Sequence, residues 1–505
     1  MLGHHNIGDY LWYTTFEHNC HDTLDLAGNS NKGRRLLRHE DILEVVTFVH
    51  ESYHLVQDLT LGLAAWMQHN SDELAMSLYE IITRLPARLA KFPLTSMRMI
   101  RESDVFRLME MRRKERSFIY DGVYTSSHTD AVLMAEMNAH PGKDGSLLEA
   151  ALGLTGEDLL ECHAAILTER YICSLIAKHP SAFNQTLLPD LESYFRVDQM
   201  ESCQKVLNLF RLYLHDRIKF DAANRQHPLY PLCGRPAEYG LLLFALDFAL
   251  HMCPLDDDSS TLPPDIQDAI PAIRFLKIIG AMLPCILQPE VRPSFVLHEK
   301  YLYSTFLSHL VAFNNRCNER AGRAPTFYHY SDITERWRNM WLHETSRVSQ
   351  YPIASLFRIF FDYRLKALSL MQSDPTQVYE SNIADLARTI GFNPMFSTNK
   401  VVRLATPYVL SVMVDEDQGG GTKYVIPPSP WEMTDSFVGR EIFKGVSEMI
   451  FFGDCFRCPV ARRISYYPCE HRTDKCESIR DPNSIPPCFA RQVLMDFYPV
   501  FAQAQ

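Results

Sequence analysis

The chain has 505 residues, 46% hydrophobic and 22% charged, with a formal net charge of −11. Such a length and ordinary globular composition predict roughly two or three domains around large cores, and they exclude an intrinsically disordered chain. The acidic balance argues against nucleic acid or an anionic membrane as a broad partner.

Taken in order, the N-terminus MLGHHNIGDYLWYTTFEHN lacks a basic region followed by an apolar run, so no secretory signal is expected. Apolar residues then recur at helical spacing over 38–64, 72–92, 156–178, 190–214, 236–252, 265–284, 299–317, 333–348, 354–371 and 377–390. These predict a mainly α-helical protein. The most apolar stretch, 239–254, contains Asp247 and His251 and is too short to cross a membrane, so it reads as a buried core helix. Segment 114–127 reads as a surface loop, with a strand or hairpin as the alternative. A small β element is expected over 401–427, where β-branched and aromatic residues flank a Gly-Gly-Gly turn. The polar, Pro-bounded stretch 254–264 is the best linker. The expected organisation is a catalytic region over 1–254, a helical region over 265–400 and a small β and Cys-rich C-terminal region over 401–505. A cytoplasmic, reducing setting is expected.

The first predicted helix carries the chemistry. Residues His50, Glu51, Ser52, Tyr53 and His54 read H-E-x-x-H. On a helix, residues four apart share a face, so His50 and His54 can grip one metal ion while Glu51 serves as general base. By chance the pattern would arise only about 0.05 times in a chain of this His content, so the match carries a hypothesis. The bland reading is a pair of hydrogen-bonded core histidines beside a solvated glutamate. A di-iron site of the ferritin-like type needs a second Glu-x-x-His, and Glu51-x-x-His54 stands alone.

The HESYH helix resembles the zincin metallopeptidases, and among them the gluzincins, whose third ligand is a Glu on a later helix. The resemblance covers that helix and one further segment, not the whole chain. It implies a zincin-like catalytic core, a catalytic Zn2+, a peptide or protein substrate, and water attack with Glu51 passing the proton on to the leaving nitrogen. Two glutamates compete for the third position. Glu73 has the shorter spacing, but Asn70-Ser71-Asp72-Glu73 also reads as a capping box, with Glu73, Glu80, Asp72 and Ser77 on a solvated side. Glu161 is favoured. It lies inside a helix capped by Thr155, and Ala164, Ala165 and Thr168 beside it would let another helix come close. Glu-Cys-His-Ala is similar to the Glu-x-x-Ala segment that carries the third ligand in many gluzincins. The departure is distance, with 106 residues between His54 and Glu161. His163 and Glu169 are further alternatives, Glu169 also as an acid orienting a ligand His.

Of the 13 Cys, Cys20, Cys162, Cys173, Cys203, Cys233, Cys253, Cys285 and Cys317 are scattered and read as free thiols. Cys455 and Cys458 form a Cys-x-x-Cys, followed by Cys469, Cys476 and Cys488 with His471 near. Cys455, Cys458, Cys469 and Cys476 make a candidate structural Zn2+ site, against unbound thiols, a disulfide or an iron–sulfur cluster. The leading expectation is a zinc metallopeptidase, with the mass outside the motif suggesting a narrow substrate or a regulatory protein partner. The alternatives are a helical interaction protein with a structural or inactive metal site, and a zinc hydrolase of a non-peptide amide.

Overall fold

The structure is a computed structural model. It describes residues 3–5, 12–14, 39–83, 121–139, 145–178, 194–214, 236–250, 270–286, 354–373 and 403–405, with single positions at 335, 338, 339, 342, 346, 378, 386, 389 and 444. The described part is mainly helical. Its helices are α1 (His39–Thr60), α2 (Gly62–Thr83), α3 (Ser127–Ala139), α4 (Gly145–Ala150), α5 (Gly156–Lys178), α6 (Glu201–Leu214), α7 (Pro236–Leu250), α8 (Pro271–Ile286) and α9 (Ala354–Ser373). Three short strands, β1 (Gly3–His5), β2 (Trp12–Thr14) and β3 (Arg403–Ala405), pair antiparallel in that order. Gly3 faces Thr14 and Trp12 faces Ala405. The rest of 401–427 lies outside the described residues, as does the whole cysteine cluster of 455–488.

The centre of the packing is α5. Its start is set locally. The Thr155 hydroxyl accepts the Asp158 amide at 3.1 Å, and Asp158 Oδ2 accepts the Thr155 amide at 2.8 Å, a reciprocal cap that satisfies two end groups. At the first helical residue, a Cβ on Gly156 would stand 2.9 Å from Val123 Cα, so only glycine lets the turn at 121–124 cross there. From Leu159 to Glu169 every side chain except Glu161 is buried. A helix buried on nearly all sides needs neighbours all round, and α1, α6, α7 and α8 provide them. On α1, every residue from Glu51 to Thr60 is buried.

Buried cations tie the outer helices to this centre. Arg274 of α8 donates to the carbonyls of Ala249 (3.0 Å) and Phe248 (3.2 Å), satisfying the C-terminal end of α7 with a positive charge at its negative pole. Thus α8, on the far side of 254–264, packs along α7. Arg364 of α9 donates to the Asp58 carbonyl of α1 at 2.7 Å. The apolar stretch near 239–254 is a core helix as expected, with Leu242, Ala245, Leu246 and Ala249 fully buried. No described helix is long and apolar enough to cross a membrane.

Several local expectations are corrected. The periodicity over 38–64 belongs to two helices, which break at Leu61, and α2 runs on from Gly62. Residues 70–73 therefore lie in mid-helix and form no capping box. Two of the residues read as solvated on α2 are packed. Asp72 is buried and meets Lys444 Nζ at 2.6 Å, and Ser77 is buried too. A lysine far along the chain covers that face, which local periodicity does not reveal. Residues 121–124 form a helical turn leading into α3, so no strand occupies 121–127. Helices α3 and α4 went unread, being short and flanked by polar residues. Residues 196–200 form turns before α6, and α8 begins at Pro271, whose fixed φ and missing N–H suit a first helical position.

Candidate metal centre

Two neighbouring helices, α1 and α5, build the site. On α1, His50 and His54 sit one turn apart, with ring centroids 4.8 Å apart and planes at 88°. Across the helix interface, Glu161 reaches both. His50 Nε2 lies 3.2 Å from Oε2 and His54 Nε2 lies 3.3 Å from Oε1. One ligand atom from each residue falls within 4.8 Å of the others. The two His–Glu contacts run to different carboxylate oxygens, and the three residues lie close enough together that they could hold a metal ion.

The helix α5 that carries the predicted small residues packs against α1. Ala164 and Ala165 are fully buried. Glu161 is the exception in its buried run, with its side chain 34% exposed, against 15% for His50 and 8% for His54. The triad therefore lies at the rim of the core, with Glu161 and His50 reaching solvent.

The imidazoles are held from behind. Thr168 Oγ1 gives its proton to the Ala164 carbonyl at 2.8 Å, which leaves its lone pair to accept from His50 Nδ1 at 3.4 Å. His54 Nδ1 meets Gln57 Oε1 at 2.8 Å, and Gln57 Nε2 donates to the Leu160 carbonyl at 2.8 Å. Both rings thus turn Nε2 toward Glu161. Glu51 is 6% exposed, and its Oε2 has no hydrogen-bond partner among the described residues. A buried carboxylate oxygen left without a donor is costly, so this orphan fits a site that takes up water and a cation.

Charge is concentrated here. Burial lowers the pKa of His54, but the Glu161 carboxylate, by charge and hydrogen bond, outweighs it, and with Glu51 and Gln57 adding, the value is raised from 6.5 to about 9. Burial opposes ionisation of Glu161, while His54 and His50 hold its carboxyl well below the usual range. The sign for stability follows. A His pKa raised on folding gives stability that is complete below about 6.5 and is lost as pH rises through about 9. In metal-free protein, the thermal midpoint should fall between those limits, and His54→Ala should remove that part of the fall. An unchanged profile in His54→Ala would contradict the pairing.

The other candidates fall elsewhere. His163 is fully buried and engaged with Gln57 and Asp247. Glu169 accepts the Val197 amide at 2.7 Å, so it braces the turn before α6. The side chain of Glu73 lies outside the described residues. Cys162, beside Glu161, hydrogen-bonds with Cys203, and that bond together with burial pushes its pKa well up, so it stays a thiol. Sequence reading missed Gln57 and Asp247. The signal for Asp247 was its carboxylate inside an apolar run, which demands a buried partner. No protein-family model, curated protein or solved structure matches this chain.

Proposed function

We propose that the chain is a zinc-dependent metallopeptidase of gluzincin-like type, with His50, His54 and Glu161 holding the ion and Glu51 as general base. The observation that carries this is the convergence of Glu161 with His50 and His54, from helices far apart in sequence, beside Glu51, whose buried Oε2 has no hydrogen-bond partner among the described residues. A zinc ion held there would lower the pKa of a water to about 7 and polarise a peptide carbonyl. Glu51 would take the proton of the attacking water and deliver it to the leaving nitrogen. The exposed edge at Glu161 and His50 would admit an extended peptide, and the buried side behind His54 would keep bulk water out.

The test uses full-length protein loaded with zinc and incubated with a library of unfolded peptides, with products read by mass spectrometry. Discrete cleavage sites should appear, vanish on chelation and return with added zinc. Cleavage that ignores the chelator, or no cleavage by the zinc-loaded protein, would contradict the proposal.

A further inference from the structure

Behind His54 a line of four side chains runs through the core to α7. Asp247 Oδ1 of α7 lies 2.6 Å from His163 Nε2 of α5. His163 Nδ1 lies 3.0 Å from Gln57 Nε2, and Gln57 Oε1 lies 2.8 Å from His54 Nδ1. Gln57, His163 and Asp247 are at most 2% exposed.

Every bond in this line has only one consistent direction. The Leu160 carbonyl can only accept, so the Gln57 group facing it is the NH2, and the Gln57 oxygen faces His54. At the far end a carboxylate can only accept, so His163 carries its proton on Nε2 and leaves Nδ1 as an acceptor for Gln57. Both ends thus demand that His54 Nδ1 donate, which leaves Nε2, whose proton the Glu161 carboxylate accepts in metal-free protein, as the nitrogen that can give up its proton to a metal ion. We infer that Gln57, His163 and Asp247 are positioning residues that act through His54 to fix its tautomer and ring orientation for a metal ion. This rests on the metal reading of His50, His54 and Glu161. Polar partners of ligand histidines typically change metal affinity by about 10–100-fold when removed.

The experiment measures zinc affinity by competition with a chromogenic chelator, together with the zinc-induced rise in Tm, in full-length wild type, His54→Ala, Gln57→Met and Gln57→Glu. Gln57→Met keeps length and loses the acceptor; its affinity should fall about 10–100-fold and its zinc-induced Tm rise should shrink. Gln57→Glu keeps an acceptor and should remain within about tenfold of wild type. A role in packing alone would lower Tm equally with and without zinc and leave affinity unchanged, which would overturn the inference. Wild type that binds no zinc, or His54→Ala that binds like wild type, would instead remove the metal reading itself. Imidazole 15N NMR of zinc-loaded wild type needs no core variant. It should show the Nε2–H tautomer of His163, and the Nδ1–H tautomer would overturn the inference even if Gln57→Met does not fold.

Discussion

Glu51→Gln should keep zinc bound and cost about 10²–10⁴ in the rate of peptide hydrolysis, the range a positioned general base supplies. The substitution changes one oxygen for an NH2 and preserves shape, so packing under α1 should survive. Glu51 bridges neither His50 nor His54 in the triad, and its Oε2 has no protein partner among the described residues. What the carboxylate offers, and the amide cannot, is a proton-accepting oxygen in a buried site. The informative comparison is therefore turnover against metal content in one preparation. Zinc retained with turnover lost would separate a base from a ligand. Turnover within about threefold of wild type would exclude Glu51 as the base, since far more is expected of such a group.

Glu161→Ala should lower zinc affinity by more than the roughly 100-fold that bounds the loss of an outer-shell partner. Glu161 alone among the three approaches both others, at 3.2 and 3.3 Å. Three protein ligands are the usual minimum for a catalytic zinc, and two histidines one turn apart leave the ion without its third. Alanine is the best helix former and Glu161 is partly exposed, so α5 should tolerate the change. Glu73→Ala serves as the comparison, because spacing alone would have favoured it. Zinc binding measured by chelator competition should be lost in Glu161→Ala and retained in Glu73→Ala. The reverse outcome would move the third ligand to α2.

Much of this site is legible in one dimension because its strongest signals are local. His50 and His54 share a face by helical geometry alone, and Thr155 with Asp158 marks where α5 begins. Glu161 is legible through its neighbours, since Ala164 and Ala165 announce a close helix. What stays hidden depends on meetings between distant segments. Gln57 looks like any polar residue on α1 until Leu160 and His163 arrive from α5. Asp72 looks solvated until Lys444 covers it. The break at Leu61 is marked only by Gly62, a residue that often follows a helix end, and it is masked because both sides carry helical periodicity. The short helices α3 and α4 lack a long apolar stripe, and bonds between them and their surroundings, such as Asp130 of α3 accepting the Gly153 amide beyond α4 at 2.7 Å, are not legible in one dimension. The buried polar line to Asp247 shows the same limit. Its members are separately unremarkable in sequence and acquire direction only from the carbonyl and carboxylate at its ends.

The most direct test of the central claim is zinc content, by mass spectrometry of purified full-length protein, in wild type, in His50→Ala/His54→Ala and in Cys455→Ser/Cys458→Ser. The cysteine variant controls for zinc held near the C-terminus. The account predicts that the histidine variant loses one equivalent of zinc relative to wild type and that the cysteine variant retains that equivalent. A histidine variant with the same zinc content as wild type would contradict it and leave HESYH as a packed helix.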